Sequence, residues 1–68
     1  MEQFELKDEY IELIRLLKHK NWVESGGMAK VVVDEGLVKV NNEVEHRKRR
    51  KLRKGDIVTF EGMKLTVI

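Results

Sequence analysis

Residues 25 to 58 read SGGMAKVVVDEGLVKVNNEVEHRKRRKLRKGDIV, and the hydrophobic period along them changes from helical to extended. After Ser25, the residues Ala29, Val32 and Val33 recur at the spacing that lines one side of a short helix. Ser25 is a helix-opening residue, because its hydroxyl can accept an N–H of the first turn. Gly36, free to adopt a left-handed conformation, can close the same helix. The period then becomes two: Val38 and Val40 face one way and Lys39 the other, which predicts a strand. Asn41 and Asn42 tolerate positive φ and can return the chain into a second short strand around Val44. The basic run that follows has one clear apolar anchor, Leu52, and ends in the turn RKGD.

Working outward, DEYIELIRLLKHKN (residues 8–21) places Tyr10, Leu13, Ile14 and Leu17 on one helical stripe with Glu12, Arg15 and His19 opposite. This predicts a helix with Asp8 as its cap, Glu9 near the positive end of its dipole, and Lys18 and Lys20 near the negative end. On the other side, DIVTF and KLTVI are two strand-like runs meeting around Glu61 and Gly62, a hairpin. Residues Phe4 to Leu6 can add a strand. The expected architecture is α+β: two N-terminal helices, packed antiparallel on a small, mostly antiparallel sheet, with the basic segment at one edge.

The chain has 68 residues, room for a single domain, and a domain of that size buries only about 60% of the surface its unfolded chain exposes. There is no cysteine, hence no disulfide framework, thiolate metal site or thiol nucleophile. No apolar run approaches the roughly 20 residues that span a bilayer, and the acidic start MEQFELKDEY is unlike a signal peptide. A cytoplasmic location, no membrane partner and a monomer are expected. His19 and His46 stand far apart with no cysteine to join them, so no metal or other cofactor is expected. Neither a His-Ser-Asp grouping nor a Gly-rich phosphate cradle is found, so no catalytic role is expected.

Charge is the most informative feature. The formal balance of +2 comes from 14 basic and 12 acidic residues, and seven of the basic ones, Arg47, Lys48, Arg49, Arg50, Lys51, Arg53 and Lys54, lie within eight positions. Residues 1–45 carry a balance of −4 by contrast. Like charges at this density repel one another unless a polyanion or the fold offsets them.

The order of parts resembles the alpha-L RNA-binding motif, the module named after small-subunit ribosomal protein four. The resemblance spans residues 8 to about 60 and rests on Ser25, Ala29, Gly36, the run Val38 to Asn41, and Gly55 with Asp56. The segment SGGMAK is similar to the short stand-alone bacterial members, non-enzymatic proteins of this one domain that act on ribosomal or other structured RNA. The resemblance implies one RNA-binding domain over residues 1–68, with RNA across the two helices and the following loop. Many relatives carry an Arg after the helix-opening Ser and another at the start of the first helix. Gly26 and Asp8-Glu9-Tyr10 stand there in this chain, which shifts phosphate contact to Lys30 and the basic run.

The candidate RNA-binding residues are therefore Ser25, Gly27, Lys30, Arg47, Lys48, Arg49, Arg50, Lys51 and Arg53, with structured RNA, ribosomal RNA foremost, as the partner. Duplex RNA presents mostly phosphates and 2′-hydroxyls, which a dense array of Arg and Lys binds without reading sequence. Glycines after Ser25 leave the first N–H groups of the second helix open to a phosphate; their plainer role is to let the two helices approach closely. Trp22 and Tyr10 are expected to pack at the core or the helix corner, and no aromatic interrupts the basic run, which favours reading of backbone over stacking on bases. If the run is purely a binding surface, Arg49 and Arg50 can be removed at no cost in stability. Two other partners fit the same charge: double-stranded DNA, and an acidic or ribosomal protein.

Overall fold

Alternation along the strands decides which face of the sheet meets the helices. The computed structural model describes residues 1–68, in the order β1 (Glu2–Phe4), β2 (Ile11–Glu12), α1 (Leu13–His19), α2 (Gly26–Asp34), β3 (Val38–Val40), β4 (Glu43–Val44), β5 (Lys51–Leu52), β6 (Ile57–Phe60) and β7 (Met63–Val67). Five strands form one sheet in the order β1-β7-β6-β3-β4, antiparallel throughout except that β1 runs parallel to β7. The register pairs Val38 with Phe60, Val40 with Val58 and Val58 with Leu65. All five are buried together with Val67, on one face. Leu13, Leu16 and Leu17 of α1 and Ala29, Val32 and Val33 of α2 cover them. Lys39, Thr59 and Lys64, paired across the same strands, lie on the open face.

Two tight turns set this register. Asn41 and Asn42 both have positive φ, 52° and 70°, and join paired residues Val40 and Glu43. Glu61 and Gly62, at 49° and 79°, do the same between Phe60 and Met63. Two-residue loops of this hand match the twist of the strands they connect. Asn41 also reaches across to β6: its side-chain oxygen accepts from the Ile57 N–H at 2.9 Å, and its amide donates to Asp56 at 3.0 Å. The second Asp56 oxygen accepts from the Arg53 N–H at 2.8 Å, while Gly55 turns the chain at φ 97°. Asn41, Gly55 and Asp56 thus form one clasp where the basic segment re-enters the sheet.

The second helix starts and stops as its sequence predicts. Ser25 accepts from the Met28 N–H at 3.1 Å, and Gly36, at φ 75°, follows the last turn. The first helix is shorter than its periodicity. Its predicted first turn is instead extended, and Ile11 and Glu12 form an antiparallel ribbon with Leu52 and Lys51. Asp8 caps nothing, Glu9 lies outside the helix, and Glu12 at the cap position makes no side-chain hydrogen bond. The reason is tertiary: the N–H groups of Leu13 and Ile14 donate to the carbonyls of Arg50 (2.9 Å) and Lys48 (3.1 Å). Backbone from the basic segment satisfies the helix start, so the preceding residues are held as a strand. Tyr10 consequently leaves the apolar stripe and stands 38% exposed, while Leu16 takes a fully buried place.

The basic segment leaves edge strand β4 and builds this small ribbon rather than extending the main sheet. The extra N-terminal strand forms slightly earlier than Phe4 to Leu6, as β1, and Leu6 donates to the Ile68 carbonyl at 2.8 Å. Trp22 packs at the helix corner, stacked on Phe60 with ring centroids 6.5 Å apart. No helix is long and apolar enough to cross a membrane.

Candidate nucleic-acid interface

Glu45, two residues before Arg47, is 7% exposed, the single buried charged residue of the chain. Its carboxylate organises the segment. Arg47 donates its backbone N–H and its Nε to Oε2, both at 2.9 Å, and its Nη2 to Oε1 at 3.0 Å. Arg50 donates Nη1 to Oε1 at 2.7 Å. The Arg50 N–H closes a turn onto the Arg47 carbonyl at 3.2 Å, which places Lys48 and Arg49 at its tip. The run is thus a loop wound around one buried anion, which offsets part of the repulsion between its cations.

The Arg47 hydrogen bonds hold the Glu45 carboxyl well below its ordinary 4.5, at about 2, with Arg50 adding to the pull and burial opposing it. The same pairing raises Arg47 further above its usual value. Because the folded protein binds the Glu45 proton less readily than the unfolded chain does, the stability that this contributes is full above about pH 4.5. It is lost as pH falls towards 2. A urea titration of Glu45→Gln is expected to lie below the parent at pH 6 and to converge with it near pH 2; parallel curves across that range would exclude the carboxylate as the acid-labile anchor.

Arg49 and Arg50 separate on the same grounds. The Arg50 side chain is 27% exposed and engaged with Glu45, so it is a structural element as well as a surface cation, contrary to the expectation that both arginines are dispensable to the fold. Arg50→Ala is expected to cost about 1.5–3 kcal/mol, the range for a hydrogen bond to a charged group. Arg49→Ala is expected to stay within about 0.5 kcal/mol of the parent, as for exposed positions generally. Denaturant midpoints of the two variants check this.

Lys48 approaches Asp34 at 4.0 Å, whereas Arg49, Lys51, Arg53 and Lys54 are exposed and have no acidic partner within ion-pair distance. Arg47, Arg49, Arg50 and Lys51 line an open depression of about 460 Å³ with no hydrophobic residue in it. Tyr10 joins this surface. The Lys51 ammonium is 4.9 Å and the Arg53 guanidinium 5.5 Å from its ring centre. Periodicity put Tyr10 on the helical stripe; only the pairing of Ile11 with Leu52 brings it opposite Arg53. An aromatic ring therefore lies within the basic surface although none interrupts the basic run.

The remaining candidates lie elsewhere. Lys48 and Arg50 cap the start of α1, and Lys48 meets Asp34 at the end of α2, so the two helices run antiparallel with the basic loop at one end. Ser25 and Gly27 sit at the opposite end of α2, about 12 Å away along a helix rising 1.5 Å per residue. Lys30 is exposed one turn before Asp34 on the same side, between the two groups. The space around Gly26 is open, and a Cβ at Gly27 would meet only the Ser25 oxygen at 3.7 Å. Close helix approach is therefore not what these glycines serve. The helix itself offers no acceptor to their N–H groups.

A family model described as the S4 domain matches residues 4–68. YbcJ of Escherichia coli (strain K12) is 45% identical over 62 residues, covering 91% of this chain and 89% of YbcJ. The solution structure of YbcJ, described as revealing an alfaL motif involved in RNA-binding, matches 100% of this chain and 87% of that one with a TM-score of 0.75. "Probable ribosome maturation protein RlbA" of Bacillus subtilis (strain 168) is 46% identical over 54 residues, 79% of this chain and 76% of that protein. The 30S ribosomal protein S4e of Thermoplasma acidophilum, at 20% identity, shares the fold over 85% of this chain and 31% of its own, with a TM-score of 0.71. With two helices on a mostly antiparallel sheet, and with the family model reaching from Phe4 to the last residue, this chain belongs to the S4 domain family and carries the alpha-L motif.

Proposed function

We propose that this protein binds structured RNA, ribosomal RNA foremost, and catalyses no reaction. The observation that carries the reading is the loop anchored on Glu45, which presents Arg49, Lys51 and Arg53 without acidic partners beside Arg47, Lys48 and Arg50. Phosphates supply the counter-charge that the fold leaves unmet. Arg adds planar, paired donors that suit phosphate oxygens. Lys30, and the N–H groups of Ser25 to Gly27, would extend the contact along α2 to a second phosphate. The alfaL motif of YbcJ supports an RNA ligand, and the naming of RlbA for ribosome maturation supports a ribosomal one.

Double-stranded DNA would answer the same charge, but the exposed body of α2 offers Lys30, Asp34 and Glu35 rather than a set of side chains for base edges in a major groove. Competition decides between partners. A folded ribosomal RNA fragment is expected to displace a labelled RNA hairpin more effectively than duplex DNA or a poly-pyrimidine strand of equal length. Equal displacement by all three would remove the claim that folded RNA is preferred. Association with ribosomal particles that survives nuclease digestion would favour a protein partner instead.

A further inference from the structure

We propose that Tyr10 and the groove beside it receive one unpaired nucleobase, whose flanking phosphates are held by Lys51 and Arg53. This deepens the RNA-binding reading and rests on it. Tyr10 lines an open groove of about 730 Å³ between the N-terminal segment and α1, together with Leu6 and Ile11, the acids Glu5, Asp8 and Glu12, and the cations Lys7 and Arg15. Tyr10 is part of the groove wall, and its ring lies under Lys51 and Arg53, at 4.9 and 5.5 Å. Three properties of a nucleotide match three properties of this surface.

A base has two flat apolar faces, and Tyr10 offers a partly exposed ring beside the apolar side chains of Leu6 and Ile11. The phosphates on either side of a base are anionic, and Lys51 and Arg53 are cations with no acidic partner. The edge of guanine, adenine or cytosine carries N–H donors, and the carboxylates of Glu5, Asp8 and Glu12 line the groove as acceptors. Three carboxylates against Lys7 and Arg15 leave the groove negative on balance, whereas Lys51 and Arg53 at its rim have no acidic partner, so the sugar-phosphate backbone is held at the rim and the base points inward. A continuous duplex cannot enter, because its bases are stacked and paired; a bulge or loop base can.

The ribbon explains why ring and cations are held together. Ile11 pairs with Leu52, so Tyr10 falls opposite Arg53 and diagonal to Lys51, on the side away from the buried Leu52. The platform is thereby tied to the same segment that is wound on Glu45.

Two RNA hairpins of equal length and charge, each closed by a non-nucleotide linker so that neither has an unpaired loop base, test this, one fully paired and one with a single bulged purine, each measured against the parent, Tyr10→Ala and Tyr10→Phe. The parent is expected to favour the bulged hairpin, and Tyr10→Ala to lose about 5- to 150-fold of affinity for it, the range for one stacked base. Affinity for the paired stem should stay unchanged, and Tyr10→Phe should retain the preference. With 2-aminopurine at the bulge, fluorescence should be quenched on binding by the parent and not by Tyr10→Ala; thermal melts verify that the variants fold. Equal loss of affinity for both hairpins, or quenching that survives Tyr10→Ala, would overturn the stacking site while leaving RNA binding intact. Failure of the parent to bind either hairpin would overturn the RNA reading itself.

Discussion

Leu52→Ala is expected to lower the free energy of unfolding by about 2–5 kcal/mol, the range for removing a buried leucine side chain. Leu52 is the one residue of the basic run that is fully buried, and it pairs with Ile11 in the ribbon that precedes α1. Its loss leaves a cavity beneath a segment already strained by repulsion among seven cations. A domain of this length has a total stability of only about 3–10 kcal/mol. The substitution therefore consumes a large share of it. Urea unfolding is the measurement, with Leu52→Met as the control that keeps most of the volume and should cost less than about 1.5 kcal/mol. A loss below about 1 kcal/mol for the alanine variant would mean that Glu45 holds the basic loop without help from the core.

The salt dependence of RNA binding is expected to be steep: a slope of log affinity against log salt of roughly −3 to −5 if about four to six side chains reach phosphates. Between 50 and 200 mM salt, that slope corresponds to a fall of about 60- to 1,000-fold. Single substitutions should divide by their place in the loop. Arg49→Ala and Lys51→Ala remove cations that no carboxylate engages, and each should lower the slope by just under one unit. Arg47→Ala and Arg50→Ala also release Glu45, so their effects mix weaker affinity with a less ordered loop. Lys48→Ala frees Asp34, an acid beside the same path, and should weaken binding through repulsion as well. A slope near zero for the parent, or one that no single variant alters, would exclude phosphate neutralisation and move a protein partner ahead.

The site was legible in part, and the division has a physical basis. The basic run announces itself because seven cations within eight positions need no tertiary information to be counted. Which of them face a ligand freely is a different matter. Glu45 reads as one more acid at the border of the run, yet it is buried and binds two of the arginines. The interval of two and five residues from Glu45 to Arg47 and Arg50 is the one trace of this in the sequence, and it acquires meaning only once the loop curls back. Tyr10 left no trace, because its spacing to Leu13 and Leu17 fits a helix as well as any core residue does.

What the sequence determined by itself is local. Ser25 starts α2 through its own hydroxyl, Gly36 ends it, and Asn41-Asn42 and Glu61-Gly62 supply positive φ at two tight turns. The alternation of β3, β6 and β7 then sends Val38, Val40, Val58, Phe60, Leu65 and Val67 to one face. Each of these depends on residues within a few positions of one another, whose backbone and side-chain preferences act before the chain folds. What the tertiary structure decided depends on partners far away in sequence. The carbonyls of Lys48 and Arg50 fix where α1 begins, the edge of β7 makes β1 a parallel strand, and Leu52 draws Ile11 out of its predicted helix. A helix end needs acceptors or donors for its unpaired backbone groups, and a strand needs a neighbouring edge; neither requirement names in advance which segment will meet it.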